Sequence, residues 1–148
     1  MDASAPDRAL IGRAAESIRR GGVVAMPTDT LYGLAADPFS AEAVAKVFRA
    51  KGRASDQALP LVGADVEQIA ARLGALSKNA LLLADRFWPG PLTILVKAPL
   101  GLAPAVSAGT RRVGVRVPAH EVTRALCVAA DSLLTATSAN RSGEPPTD

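Results

Sequence analysis

Three polar segments, each following a predicted strand, hold the side chains most able to do chemistry. They are Pro27-Thr28-Asp29-Thr30-Leu31-Tyr32-Gly33-Leu34, then Gly109-Thr110-Arg111-Arg112 with Arg116 close behind, then Thr137-Ser138-Ala139-Asn140-Arg141-Ser142-Gly143. Hydroxyls, amides and glycine-freed backbone N–H groups are what a phosphate or a carboxylate needs. Arginine adds a bidentate fork for either anion. Lys51 and Arg53, on a short loop, supply further positive charge. Any one such loop is ordinary turn chemistry. Three of them, with basic clusters at Lys46, Arg49, Lys51, Arg53 and at Arg111, Arg112, Arg116, point to an anion or nucleotide site.

Other chemistries lack their residues. Cys127 is the only cysteine, so no disulfide forms within the chain, and with His120 the only histidine a Cys/His zinc site is nearly ruled out for want of ligands. Neither G-x-x-x-x-G-K-[ST] nor G-x-G-x-x-G occurs. A Ser-His-Asp triad through His120 has no G-x-S-x-G elbow to sit on. His120 stands where a helix starts and reads as a cap or packing residue. Cys127, between Leu126 and Val128, reads as a buried inert thiol. Trp88, before Pro89-Gly90-Pro91, reads as a core anchor. The net charge of +3 is too mild to predict a nucleic-acid partner by itself.

Behind these segments, strands alternate with helices. Leu10, Ile11, Ala14 and Ile18 predict a helix over residues 7–20, stopped by Gly21-Gly22. Val23–Met26 is a short buried strand. Ser40 caps a helix over Ala41–Ala50, with Val44, Val47 and Phe48 inward. Lys51–Ala58 is a polar loop. Leu59–Val62 is a strand that Pro60 weakens or moves to an edge. Helices over Asp65–Leu73 and Ser77–Trp88 meet near Gly74. Leu92–Val96, Val113–Val117 and Leu133–Thr137 are strands, Pro99–Gly109 is loop, residues 119–130 are helical, and Ser138–Asp148 is all turn formers. The class is α/β, with one twisted mixed sheet covered by helices. At 148 residues, 49% apolar and 3% aromatic, the chain has material for one aliphatic core, so residues 1–148 are expected to form one domain. No apolar run approaches the roughly 20 residues of a membrane span. The start, MDASAPDRAL, lacks the basic and apolar stretches of a signal peptide, so a cytoplasmic location is expected.

Five ordered motifs carry a resemblance. Gly21–Asp37, GGVVAMPTDTLYGLAAD, resembles the opening motif of the YrdC-like family, which includes the threonylcarbamoyl-AMP synthases. Lys51-Gly52-Arg53 resembles its lysine-x-arginine loop, and Trp88-Pro89-Gly90-Pro91-Leu92-Thr93 its W-P-G-P-L-T segment. Val115-Arg116-Val117-Pro118-Ala119-His120 resembles its V-R-x-P-x-H segment, and Ser138-Ala139-Asn140-Arg141-Ser142-Gly143 its S-A-N-x-S-G.

The resemblance implies a YrdC-like α/β domain with a basic concave face. It implies a nucleotidyltransferase that forms L-threonylcarbamoyladenylate from L-threonine, bicarbonate and ATP, releasing pyrophosphate, with Mg²⁺ carried by the ATP phosphates and no metal held by the protein. The product would pass to a tRNA-modifying transferase making N6-threonylcarbamoyladenosine. Residue by residue, it implies threonine-binding roles for Thr30, Tyr32, Arg116 and Ala136. Lys51 and Arg53 become catalytic triphosphate contacts. Gln57, Arg112, Ser138 and Asn140 fall at ATP-side positions. Ala54 departs from the proline that commonly follows the loop arginine, and the link Gln57–Leu61 is about two residues longer than usual, which loosens the match at Gln57. An S-T-[IV]-[VIL]-D segment that follows in the family does not occur in these 148 residues, which on the resemblance makes the chain a fragment or a shortened form. Two other functions remain open on sequence. One is an RNA-binding module without synthase activity, supported by the Arg/Lys clusters. The other is a carbamoyl-adenylate-forming carbamoyltransferase domain, a type that usually carries extra domains.

Overall fold

A computed structural model of the chain describes residues 7–27, 32–52 and 58–138. Its helices begin where the sequence offers a side-chain acceptor. Asp7 caps α1 (Arg8–Arg19), accepting from the N–H groups of Ala9 and Leu10. Ser40 caps α2 (Ala41–Lys51), Asp65 caps α3 (Val66–Leu73) and Ser77 caps α4 (Lys78–Phe87). Each cap satisfies a donor orphaned by the first turn, worth about 1 kcal/mol. One short helical turn, α5 (Pro104–Ser107), interrupts the segment expected to be loop, with Pro104 at its first position. His120 caps α6 (Glu121–Ala130), its Nδ1 accepting from Val122 N–H, so the expected capping role holds.

The strands are β1 (Val24–Met26), β2 (Gly33–Ala35), β3 (Leu61–Val62), β4 (Ile94–Lys97), β5 (Arg112–Arg116), β6 (Leu134–Thr135) and β7 (Thr137–Ser138). They form an antiparallel sheet in the order β1-β2-β7 and a mixed sheet in the order β4-β5-β3-β6. Among the described strands of the mixed sheet, β3 and β5 run parallel, and β4–β5 and β3–β6 are antiparallel. The α/β class and mixed pairing are as expected, but the expected single last strand is shared between two sheets, stepping across at Ala136. Thr135 holds the step. Its N–H donates to the Ala36 carbonyl at 3.0 Å, its hydroxyl donates to the Leu34 carbonyl at 2.8 Å, and that hydroxyl accepts from Ala36 N–H at 3.0 Å. β2 is a second departure, since Gly33-Leu34 read as part of a polar turn. Pro60 is a third: β3 is central, and Pro60 stands just before it, where its carbonyl accepts from Ala136 N–H at 2.9 Å. A proline at a strand's entry removes no ladder donor.

Strand alternation divides the core. Leu61 joins Val113, Val115, Val117 and Leu133 against α2, α3 and α5. Val62 and Leu134, their immediate neighbours, pack with Met26 and Ala35 beneath α1 and α6. α4 closes over β4, with Ala80 and Ala84 against Ile94. Trp88 sits at that junction, its indole N–H donating to the Leu92 carbonyl at 2.7 Å. That is the anchor role its position suggested.

Candidate functional site

β5 alternates between a buried and a less covered face. Val113 and Val115 point into the core, so Arg112, Gly114 and Arg116 take the opposite face. Arg116 is paired with Val62 in register, which puts it on the side where α1 and α6 cover the neighbouring strands. That cover does not extend over β5 and β4. Arg112, Leu95, Lys97 and Thr93 are exposed, as is Pro60 beside them. Ala136, bonded to Pro60 through the backbone, lies half-buried on the same side, packed against Leu134's cluster. Strand spacing puts the Arg112 and Arg116 Cα atoms about 13 Å apart, and Ala136 two strands away from Gly114, about 10 Å. Two arginines on one uncovered strand face offer two forks for anionic groups. The strand face is close-packed at Gly114, where a Cβ would meet Thr93 Cγ2 at 2.8 Å and push that side chain aside.

The β1–β2 hairpin brings the first polar segment to this face. Gly33 pairs with both Met26 and Ser138, so Tyr32 stands at the mouth of the hairpin beside the end of β7. Tyr32 is 40% exposed. Thr123 of α6, fully buried, donates its hydroxyl to the Pro27 carbonyl and so fixes the hairpin's other arm. Thr30 lies outside the described residues, as do Arg53, Gln57 and Asn140. Ser138 is located by its backbone pairing with Gly33. Tyr32 and Ser138 thus stand at the β2–β7 pair, while Arg112 and Arg116 share one face of β5, with Ala136 on the same side two strands away. Lys51 is apart in character: it ends α2 and is only 3% exposed, before Gly52 in the left-handed conformation.

Cys127 is no nucleophile. It is fully buried in α6, and burial pushes its thiol up to about 12. Its S–H points to the Val62 carbonyl, 3.7 Å away. The thiolate that nucleophilic chemistry needs is therefore not populated near neutral pH. Among the described residues no three His, Cys, Asp or Glu side chains gather to hold a metal. No described helix is long and apolar enough to cross a membrane.

Residues 16–148 match the Sua5/YciO/YrdC family model, whose description reads "Telomere recombination". The chain belongs to this family. Among curated members, it is 41% identical over 136 residues to the threonylcarbamoyl-AMP synthase of Bacillus subtilis, covering 91% of this chain and 39% of that protein. It is 40% identical to the threonylcarbamoyl-AMP synthase of Thiobacillus denitrificans, covering 87% of this chain and 69% of that one. The crystal structure of the Pyrococcus abyssi Sua5 protein complexed with L-threonine superposes with a TM-score of 0.89 at 38% identity, over 95% of this chain and 41% of that one. The chain therefore spans about two fifths of the length of some family members that it matches. The family's α/β fold, expected from the motifs, is the fold observed.

Sequence reasoning did not single out Lys97, which stands directly opposite Arg112 across the β4–β5 ladder. The signal was available only as a β-hairpin register, which the intervening 14-residue connection does not fix.

Proposed function

We propose that residues 1–148 form one YrdC-like domain of a threonylcarbamoyl-AMP synthase. In this reading the enzyme joins L-threonine, bicarbonate and ATP into L-threonylcarbamoyladenylate and releases pyrophosphate. The observation that carries the reading is the close match, at 38% identity, to a relative's structure holding L-threonine. The arginines on an uncovered sheet face beside Ala136 support it.

The threonine amine attacks the bicarbonate carbon, the C–O bond breaks and water leaves with the amine proton, giving a carbamate whose oxygen attacks the α-phosphorus of ATP. The P–O bond to the β-phosphate breaks and pyrophosphate leaves. No protein nucleophile takes part, so the work is positioning and charge neutralisation. Arg116 holds the threonine carboxylate through its fork, Ala136 and Tyr32 shape the pocket, and Thr30 contacts the amino acid. Lys51 and Arg53 neutralise the triphosphate during transfer. Arg112, Gln57, Ser138 and Asn140 hold the nucleotide. Mg²⁺ belongs to the ATP phosphates and neutralises their charge. The basic face is concave, the protein works in the cytoplasm, any RNA binding is weak, and its product feeds a tRNA-modifying transferase.

The test is pyrophosphate release from ATP, followed with the product's mass. Release that requires both L-threonine and bicarbonate is expected. Release that ignores threonine, or that requires carbamoyl phosphate, would overturn the reading.

A further inference from the structure

We infer that Thr123 is a positioning residue for the amino-acid pocket: its hydroxyl, bonded to the Pro27 carbonyl, sets the place of the β1–β2 connection relative to Arg116, and through it the affinity for L-threonine. The inference rests on the synthase reading, in which Arg116 holds the threonine carboxylate while Thr30 and Tyr32, in that connection, meet the rest of the amino acid. Thr123 is fully buried in the first turn of α6. A helical threonine ordinarily returns its hydroxyl to a carbonyl one turn back on its own helix. Thr123 instead donates to Pro27, 96 residues away in sequence. Pro27 is buried and follows Met26, the last described residue of β1 to pair with β2. Its carbonyl lies beyond that ladder, and a buried carbonyl left unpaired is costly.

The two ends of this bond belong to the two halves of the pocket. β5 ends at Arg116 and α6 begins at Glu121, so α6 directly continues the arginine strand. Backbone bonds fix that passage. Gly63 N–H donates to the Arg116 carbonyl at 3.0 Å, Gly90 N–H donates to the Val117 carbonyl at 2.8 Å, and His120 caps α6 at Val122. Thr123 carries this fixed frame across to Pro27. The rest of α6 is held independently: Leu126, Cys127 and Ala130 pack with Ile11, Ala15 and Ile18 of α1, and Arg19 donates to the Ala129 carbonyl at 2.7 Å. Losing the hydroxyl therefore leaves the helix in place. Packing does not replace the bond at Pro27, because an apolar cleft of about 200 Å³ opens beside it, lined by Met26, Pro27, Val122 and Leu126 among others. With that room to shift, the hydroxyl is what fixes the arm. A misplacement of about 1 Å in a contacting group costs up to about a hundredfold in function.

Titration calorimetry with L-threonine, and with ATP in parallel, tests this on the parent chain and three variants, each with a thermal melt. Thr123→Val keeps the shape and removes the hydroxyl, and Thr123→Ser keeps the hydroxyl. Cys127→Ala, one turn further along the same buried face of α6, removes packing without touching Pro27. The valine variant should weaken L-threonine binding about tenfold and ATP binding by less than about twofold. The serine variant should stay within about threefold of the parent, and Cys127→Ala should melt lower yet keep both affinities within about twofold. Parent-like threonine affinity in Thr123→Val, an equal loss for ATP, a serine variant as weak as the valine one, or an equal loss in Cys127→Ala would each overturn the inference and leave the synthase reading standing. A parent chain that binds no L-threonine would overturn that reading, and this inference with it.

Discussion

Replacing Arg116 by lysine keeps a positive charge on the uncovered face but removes the planar fork. The side chain leaves β5 on the side of Arg112 and Gly114, away from the valines that bury the strand's other face. A carboxylate bound there by two parallel N–H groups loses one of them in the lysine variant. A hydrogen bond between charged groups contributes about 1.5–3 kcal/mol. The expected loss in L-threonine affinity is therefore about tenfold to a hundredfold. Titration calorimetry with L-threonine measures it, and an ATP titration on the same sample should change by less than about threefold. Arg116 has a half-buried side chain, so a thermal melt must accompany the titration. Unchanged threonine affinity in a variant that melts like the parent would refute the role given to Arg116. An equal loss for both ligands would refute its specificity for the amino acid.

Two further outcomes follow from the fold that carries the face. Thr135→Val keeps the shape but removes the hydroxyl joining Leu34 and Ala36, leaving a buried Ala36 N–H unpaired; urea unfolding should show a loss of about 2–3 kcal/mol, and a loss below about 0.5 kcal/mol would mean that the hydroxyl does not hold the two sheets. The Cys127 thiol is raised from 9.0 to about 12 in the folded chain by burial. Below pH 9 both states keep the proton and this group adds no pH dependence. Above pH 9 the unfolded chain releases it first, so stability falls, by roughly 3 kcal/mol at pH 11. The difference in stability between the parent and Cys127→Ala should narrow over that range, and a constant difference from pH 8 to 11 would contradict the burial.

The residues that bear on function were legible as types before they were legible as a place. Val113, Val115 and Val117 already marked which side of their strand Arg116 must leave, because alternation is a property of the backbone. Asp7, Ser40, Asp65, Ser77 and His120 each sat one residue before a helix, where a side-chain acceptor has a local reason to be. Long-range pairing had no such local signature. Gly33-Leu34-Ala35 looks like the end of a turn until Met26 and Ser138 flank it on either side. The division of the last strand at Ala136 depends on Thr135 meeting Ala36, 99 residues away. The juxtaposition of Lys97 with Arg112 likewise required the β4–β5 register. The placing of Tyr32 beside Ser138, and of Arg112 and Arg116 on the side of Ala136, follows from these pairings and not from any one segment.

A crystal structure of the chain with L-threonine and ATP bound tests the central claim most directly. The account predicts the threonine carboxylate on the Arg116 guanidinium, its side chain toward Ala136, and the nucleotide on the Arg112 and Ser138 side of the same face. Threonine bound away from Arg116, or nucleotide bound on the face covered by α2 and α5, would contradict it.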